Sequence, residues 1–227
     1  MAAPTRFPSG VTNVEPPHPL GMYGAPDPAK FHQFFDDFDT YLASDWTITG
    51  TPGTVAMGAL DGGVITLTNG AADNNSTFLQ GAQSFLGEVG KRLWFGTRLK
   101  LNTATQVDVV AGLYVTTADP VAALPTDGIF FFKDDGDANL DFHVRNGGTS
   151  TTAVVATLAD DTFADVGFAY NGKDEVGVFV NAVKVSTFAV TNFPSADLLR
   201  ASFGVQNGEA VAKILTMDRV FASKERG

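Results

Sequence analysis

The sequence predicts an all-β protein, an antiparallel β-sandwich or jelly roll preceded by an extended, proline-rich N-terminal arm. Three observations carry this prediction. Apolar and polar residues alternate with a period of two through most of the chain after residue 34. Asn-Gly and Asp-Gly turn signals separate the alternating runs, and helical periodicity is almost absent. Seven of the 11 prolines fall within the first 28 residues, which sets the front of the chain apart.

Residues 1–33 are the predicted arm, because each proline restricts its own backbone and pushes the preceding residue toward extended conformations. A segment so rich in proline favours neither a helix nor a central strand. The arm carries more apolar side chains than a flexible linker needs, and we expect these to contact a neighbouring subunit, a partner or the chain's own domain: Phe7, Val11, Val14, Leu20, Met22 and Tyr23. A disordered leader is the alternative interpretation.

Residues 34–227 are predicted to form one β-sandwich domain, since all-β domains of about 200–250 residues commonly fold as a single unit. Alternation predicts strands at 93–101, 107–115, 140–144 and 214–221. Residues 163–190 predict a hairpin that turns at Asn171-Gly172 and continues into a third short strand. We expect ten to fourteen strands in all, with at most one helical turn, at 195–200.

Three phenylalanines in a row, Phe130, Phe131 and Phe132, direct rings to both faces of one strand. One face packs into the sandwich, and the other must be covered by a second layer, the arm or another subunit. His143 occupies the polar parity of a strand, beside Asp141, and is interpreted as a solvated surface position.

The composition excludes several function classes. The chain has no Cys, so disulfides, thiolate metal sites and cysteine nucleophiles are absent. A formal net charge of −10 argues against nucleic acid and anionic membranes, which attract basic surfaces. No phosphate-binding, dinucleotide-binding or zinc-protease motif is present, and no cofactor is predicted. The five glutamates do not form the paired-carboxylate pattern that glycoside hydrolysis needs, so the protein is predicted not to be an enzyme.

The best metal candidate is an acidic stretch at 134–141. Ca²⁺ takes six to eight oxygen ligands, and alternating Asp and Asn side chains in a loop can supply several of them. The candidate ligands are Asp135, Asp137, Asn139 and Asp141. The stretch lacks the glycine and distal glutamate of an EF-hand loop, so an ordinary acidic hairpin loop is the stronger interpretation.

The front of the chain shows no apolar core of a secretion signal, and no run approaches the roughly 20 apolar residues of a membrane span. We therefore expect the protein to be made and kept in the cytosol, or to leave the cell by lysis or inside an assembly. Trp46 and Trp94 offer surfaces for stacking on sugar rings, with core or rim packing as the alternative.

The order of features in residues 34–223 resembles the concanavalin A-like, or laminin-G-like, jelly roll. The resemblance rests on the segments Phe34-Phe35-Asp36-Asp37-Phe38, Trp46-Thr47-Ile48, Leu93-Trp94-Phe95-Gly96-Thr97-Arg98-Leu99-Lys100, Val110-Ala111-Gly112-Leu113, Val166-Gly167-Phe168-Ala169-Tyr170-Asn171-Gly172, Val178-Phe179-Val180-Asn181 and Met217-Asp218-Arg219-Val220. It implies a sandwich fold and, by itself, no particular function.

The front end is similar to the start of structural proteins from tailed bacteriophages, through Pro4–Asn13, Pro26-Asp27-Pro28 and Phe34–Phe38. The resemblance implies a non-enzymatic virion protein that decorates or cements the capsid surface and is made in the host cytoplasm. Its implied partners are the major capsid protein and copies of itself in a homo-oligomer. The alternative is a carbohydrate-binding, lectin-like module on a virion or tail, which would bind a glycan during host attachment.

Overall fold

Alternating apolar residues build two antiparallel sheets that pack face to face in the computed structural model, which describes residues 29–51 and 53–226. The predicted all-β sandwich is therefore confirmed. The apolar arm residues expected to contact a partner lie outside the described residues: Phe7, Val11, Val14, Leu20, Met22 and Tyr23. In the described part of the chain, no helix is long and apolar enough to cross a membrane.

The described residues form fifteen strands and two short 3₁₀ turns, at Ala43–Asp45 and Val190–Asn192. The strands are β1 (Phe31–Asp36), β2 (Trp46–Gly50), β3 (Thr54–Gly58), β4 (Val64–Thr68), β5 (Ser76–Leu86), β6 (Leu93–Leu101), β7 (Val107–Tyr114), β8 (Gly128–Lys133), β9 (Asn139–Asn146), β10 (Thr149–Thr157), β11 (Ala164–Tyr170), β12 (Glu175–Val180), β13 (Val183–Ala189), β14 (Leu198–Asn207) and β15 (Ile214–Glu225).

Sheet A contains eight strands in the order β13-β12-β11-β6-β15-β4-β3, and β1 also pairs with β15. One edge of β15 pairs first with β4 and then with β1, while its other edge pairs with β6. Sheet B contains seven strands in the order β10-β9-β8-β7-β14-β5-β2. The predicted domain boundary between residues 33 and 34 falls inside β1, because Phe31 already pairs with Glu225.

The main core lies between the two sheets and is formed chiefly by inward-facing residues that alternate along the central strands. Trp46 and Phe203 meet edge to face with ring centroids 5.1 Å apart, and Phe38 packs on the same Phe203 ring at 5.9 Å. Edge-to-face contacts of this kind suit the charge distribution of aromatic rings. Trp46 is 5% exposed, so it packs in the core and offers no surface for sugar stacking.

The outer face of sheet B is covered by the chain's own loop between β7 and β8. Beneath the loop lies a second apolar cluster of fully buried side chains: Phe78, Val110, Tyr114 and Phe130. Val121 and Leu124 of the loop pack against this cluster. Gln80 fastens the loop, since its Nε2 donates to the Thr117 carbonyl at 2.7 Å and its Oε1 accepts from the Thr117 N–H at 3.1 Å. A loop of the same chain thus provides the cover that the phenylalanine run requires.

Two local predictions are wrong for reasons that local sequence does not reveal. The helical turn expected at 195–200 is absent, because Leu198–Arg200 belong to β14 and pair with β5. His143 is buried rather than solvated, with its ring stacked on Phe130 at 5.1 Å. Burial, and then the positive charge of Arg145, lowers the pKa of His143 to about 4, so the ring is neutral at pH 7.

Substitution of Phe203 by Ala should lower the free energy of unfolding by about 3–5 kcal/mol, because it removes the ring shared by Phe38 and Trp46 and leaves a cavity. Urea denaturation measured by Trp fluorescence would give this value. Val183→Ala is the control, because Val183 is 62% exposed and its loss should change stability by less than about 0.5 kcal/mol. A loss below about 1 kcal/mol for Phe203→Ala would contradict the described core.

Candidate functional site

A groove of about 610 Å³ runs across the outer face of sheet A. Its floor is made by two glycines that pair across neighbouring strands, Gly96 of β6 and Gly167 of β11. Side chains of adjacent residues point to the opposite face, where Phe95 and Phe168 enter the core and stack 5.7 Å apart. No atom lies within 4 Å of a Cβ built on Gly96, whereas a Cβ on Gly167 would lie 2.8 Å from the Phe95 carbonyl oxygen, so the floor is open to a ligand at Gly96.

Aromatic rings flank the glycine floor on both sides, in a single row set by strand register. Phe179 of β12 pairs with Gly167, and Phe221 of β15 pairs with Gly96. Phe35 of β1 pairs with Phe221 and extends the row by one more ring, which is 58% exposed. The two glycines therefore form a shallow floor between aromatic rings, and a flat ligand can lie in this space.

The next row of the sheet gives the groove a charged end. Arg98 donates to Asp218 with an Nη1–Oδ2 distance of 2.9 Å, and its Nε lies 3.8 Å from Asp165. Arg219 bridges the same two carboxylates through ion pairs with Asp165 and Asp218. At the β12–β13 turn, the Asn181 side chain accepts the backbone N–H of Asp165 at 3.0 Å. This end offers both hydrogen-bond donors and acceptors to a polyhydroxylated ligand.

Trp94 lies beside the groove, half-buried on the same outer face. The Arg92 guanidinium sits over its ring at 5.4 Å from the centroid, a cation–π contact, and the Phe31 ring lies 6.0 Å away. A smaller depression of about 290 Å³ joins these three side chains to Phe221 and Ser223. Trp94 therefore keeps a surface for stacking, whereas Trp46 does not.

The predicted calcium ligands are divided between two places at one end of the sandwich. Asp137 accepts from the backbone N–H and the side-chain amide of Asn139, each at 2.7 Å, which closes the β8–β9 hairpin turn. Asp135 instead joins Asp108 and Asp134, with one carboxylate oxygen of each lying within 4.8 Å of the others. Local spacing could not identify Asp108, because it enters this cluster from β7.

Asp141, the fourth predicted ligand, belongs to β9 and pairs with Phe132. Its pKa is raised by burial first, and then by the charges of Asp137 and Asp134. The pKa of Asp108 is raised to about 7, chiefly by burial. The backbone N–H of Asp135 opposes this rise, whereas the carboxylates of Asp135 and Asp134 add to it. The fully buried Lys133 ammonium interacts with these carboxylates and offsets part of their repulsion, and a proton or a cation would relieve the rest.

No family model matches the chain, and no curated protein matches its sequence. Solved structures are similar in fold. The CBM2 module of the evolved Dit protein of Lactobacillus casei BL23 phage J-1 has a TM-score of 0.60 at 12% identity, over 86% of this chain and 96% of that chain. The Emp47p carbohydrate recognition domain has a TM-score of 0.60 at 13% identity, over 89% and 100%.

A third neighbour is a prokaryotic β-1,3-1,4-glucanase (lichenase) derived from a mouse hindgut metagenome. Its TM-score is 0.61 at 14% identity, over 84% of this chain and 98% of that chain. At these identities the likeness establishes the fold alone, the concanavalin A-like jelly roll that the sequence resemblance implied. The neighbours include both recognition domains and a hydrolase.

Sequence reasoning missed the groove, although one signal for it was present. Gly96 and Gly167 each interrupt an alternating strand at the parity that faces away from the core. A glycine inside a strand often marks close approach of a ligand or another backbone. The two glycines are 71 positions apart in sequence, and only the β6–β11 register shows that they are neighbours.

Asp108 should make the protein less stable as pH rises from about 4 to 7. Over that range the folded state holds a proton that the unfolded state, with a pKa of about 3.9, has released. Asp108→Asn removes this proton linkage and should still accept the N–H of Asp135. We expect the free energy of unfolding of the variant to rise relative to that of the wild type across this range, by at most about 1.4 kcal/mol per pH unit. Above pH 7 the difference between the two proteins should stay constant.

Urea denaturation of both proteins at pH values from 4 to 8.5, in EDTA, measures this difference. His143 acts with the opposite sign, because its lowered pKa destabilises the fold as pH falls below about 6.5, but it contributes equally to both proteins. A gap that does not change with pH would show that Asp108 is ionised throughout.

An ordinary acidic loop remains the stronger interpretation of residues 134–141, and calcium binding is the alternative. If Ca²⁺ bound there, millimolar Ca²⁺ would raise the melting temperature of the wild type, since a ligand that binds only the folded state stabilises it. Asp135→Asn removes a carboxylate from the cluster with Asp108 and leaves the Asp137–Asn139 turn intact. The variant therefore shows whether a Ca²⁺-dependent rise in melting temperature depends on the cluster or on the turn. An identical melting temperature in Ca²⁺ and in EDTA would remove the calcium hypothesis.

Proposed function

We propose that this chain is a non-catalytic carbohydrate-binding module that holds a glycan in the groove on sheet A. The observation that carries the proposal is the row Phe179–Gly167–Gly96–Phe221–Phe35, in which aromatic rings stand on both sides of a glycine floor. Sugar rings have apolar C–H faces that pack on aromatic side chains, and the glycines let such a ring reach the backbone.

The polar end of the groove supports the same ligand class. Sugar hydroxyls both donate and accept, and the groove presents the Arg219 guanidinium, the Asp165 carboxylate and the Asn181 side chain at one end. A mostly apolar cleft with a few polar groups at its edge is the usual form of a small-ligand site. The groove volume of about 610 Å³ lies within the range of such sites.

The charged groups favour binding over hydrolysis. Most glycosidases place two carboxyl groups across the scissile bond, one as acid and the other as base or nucleophile. Asp165 lines the groove and Asp218 lies beside it at the charged end, and each is ion-paired with Arg98 and Arg219. Both carboxylates are held by the same two arginines at one end of the groove, rather than facing each other across it.

We further propose that the module is carried on a phage particle and serves in host attachment. The phage-like residues at the front of the chain support this location, and one structural neighbour is a module of a phage protein. The capsid-decoration role, with the major capsid protein and copies of itself as partners, remains a prediction that rests on arm residues outside the described part of the chain.

The proposal predicts binding to at least one class of oligosaccharide on a glycan array. Gly96→Val should abolish that binding while preserving the fold, because the added side chain enters open space above the floor. Phe179→Ala should weaken it by about tenfold through the loss of one stacking wall. Thr152→Val is the matched control, because it changes an exposed strand position on sheet B. Absence of any glycan ligand, or undiminished binding by a folded Gly96→Val protein, would refute the proposal.

A further inference from the structure

The groove is the first of three depressions that form one continuous track over sheet A. The groove and the Trp94 depression share Phe221. The Trp94 depression shares Phe31 and Arg92 with a third depression, of about 430 Å³, where β1 begins and β15 ends. Arg92 precedes Gly96 by four residues, which is about 13 Å at the rise of a strand. A ligand that occupied the whole track would therefore span more than one sugar ring.

The third depression, called here the basic pocket, has a surplus of positive charge. It is lined by four cationic side chains and one carboxylate: Lys30, Lys91, Arg92, Arg226 and Glu225. Glu225 is occupied by Arg92, since its Oε1 accepts from Nε at 2.8 Å and its Oε2 accepts from the Arg92 backbone N–H at 2.8 Å. Within the described residues, the other three cations make no ion pair.

Backbone contacts hold part of this surplus in place. The Arg226 Nε donates to the Phe31 carbonyl at 3.0 Å, and the Lys91 Nζ lies 3.2 Å from the Arg226 carbonyl. The Arg226 backbone N–H donates to the Lys30 carbonyl at 2.7 Å, and this bond connects the start of β1 to the end of β15 at the pocket. Gly90 lines the wall at φ +89°, and a Cβ there would meet no atom within 4 Å. The pocket is therefore an open cationic site that has some backbone support.

A cationic surplus runs against the charge of the whole chain, whose formal net charge is −10. Surface cations on an acidic protein are usually balanced by nearby carboxylates, as Lys224 is by Glu88 and Lys184 by Glu175. Lys30, Lys91 and Arg226 form no side-chain ion pair among the described residues, although Lys91 is near enough to Glu88 and Glu225 to lower the pKa of both. All three cations stand at the end of the aromatic track. An anionic group on the ligand would supply the missing charge.

From this continuity we propose that the ligand is an acidic glycan. Its sugar rings stack in the groove and against Trp94, and its carboxylate, sulfate or phosphate substituents lie in the basic pocket. The inference rests on the proposed function and specifies the class of glycan. Arg92 connects the two parts, because it contacts the Trp94 ring and lines the pocket.

Matched polysaccharides test the charge requirement directly. Binding of the full chain to hyaluronan, alginate and polygalacturonate would be compared with binding to the carboxyl-reduced form of each, and dextran sulfate with dextran. We expect at least one charged form to bind about tenfold or more tightly than its neutral counterpart at about 50 mM NaCl, and the difference to shrink at about 500 mM. Equal binding of both members of every pair would overturn the inference.

Substitutions in the basic pocket test whether its cations cause the preference for charged polysaccharides. Lys30→Gln, Lys91→Gln and Arg226→Gln combined should weaken binding of the charged form by about tenfold, since each exposed charge contact contributes about two- to fivefold. The same triple variant should bind the neutral form as the wild type does. Lys100→Gln is the control, because it removes one charge from the far end of β6 on the same face. Thermal melts of each variant confirm that the fold is retained.

The outcomes separate this inference from the proposed function. Binding of a neutral glycan that Gly96→Val abolishes, with no preference for charge, would keep the proposed function and overturn the acidic ligand. Unchanged affinity of the triple variant for a charged polysaccharide would also overturn the acidic ligand while keeping the proposed function. Failure of every glycan to bind would refute both. Tighter binding to a DNA duplex than to any acidic glycan would also overturn the assignment.

Discussion

The cross-strand register of β6 with β11 and β15 is the constraint on which the core and the groove both depend. A shift of one residue would move every side chain of a strand to the opposite face. In the observed register, Phe95 and Phe168 stack inside the sandwich while Gly96 and Gly167 lie together outside. The packing that stabilises the core therefore also aligns the groove, and the groove inherits the rigidity of the central strands.

The two sheets treat their outer faces differently, and this difference determines where a ligand can bind. Sheet B buries its outer apolar side chains under the β7–β8 loop, which Gln80 fastens through two hydrogen bonds to Thr117. Within the described residues, this loop covers the centre of that face. Sheet A leaves Gly96 uncovered at its centre, and aromatic side chains such as Phe35 remain partly exposed around it. Exposed aromatic surface of this kind is costly unless a partner uses it.

Sequence patterns predicted the strands well because alternation and turn residues are local signals, as in the run Leu93–Leu101 that forms β6. They failed wherever distant segments decide the outcome. His143 has polar parity, yet the aromatic layer on sheet B buries it. The calcium set was built from neighbours in sequence, whereas Asp108 reaches Asp135 from another strand. The groove could not be found because Gly96 and Gly167 become neighbours only through register.

The two ends of the open face of sheet A differ in charge, although the aromatic residues between them are alike. At one end, Arg98 and Arg219 are neutralised by Asp165 and Asp218 and form a closed network of donors and acceptors suited to hydroxyl groups. At the other end, Arg92 is the one cation of the basic pocket that forms an ion pair among the described residues. A neutral ligand could use the first end fully but would leave the cations of the second without counter-charge. A ligand with sugar rings and anionic substituents matches both ends, because each end then faces the group that it complements.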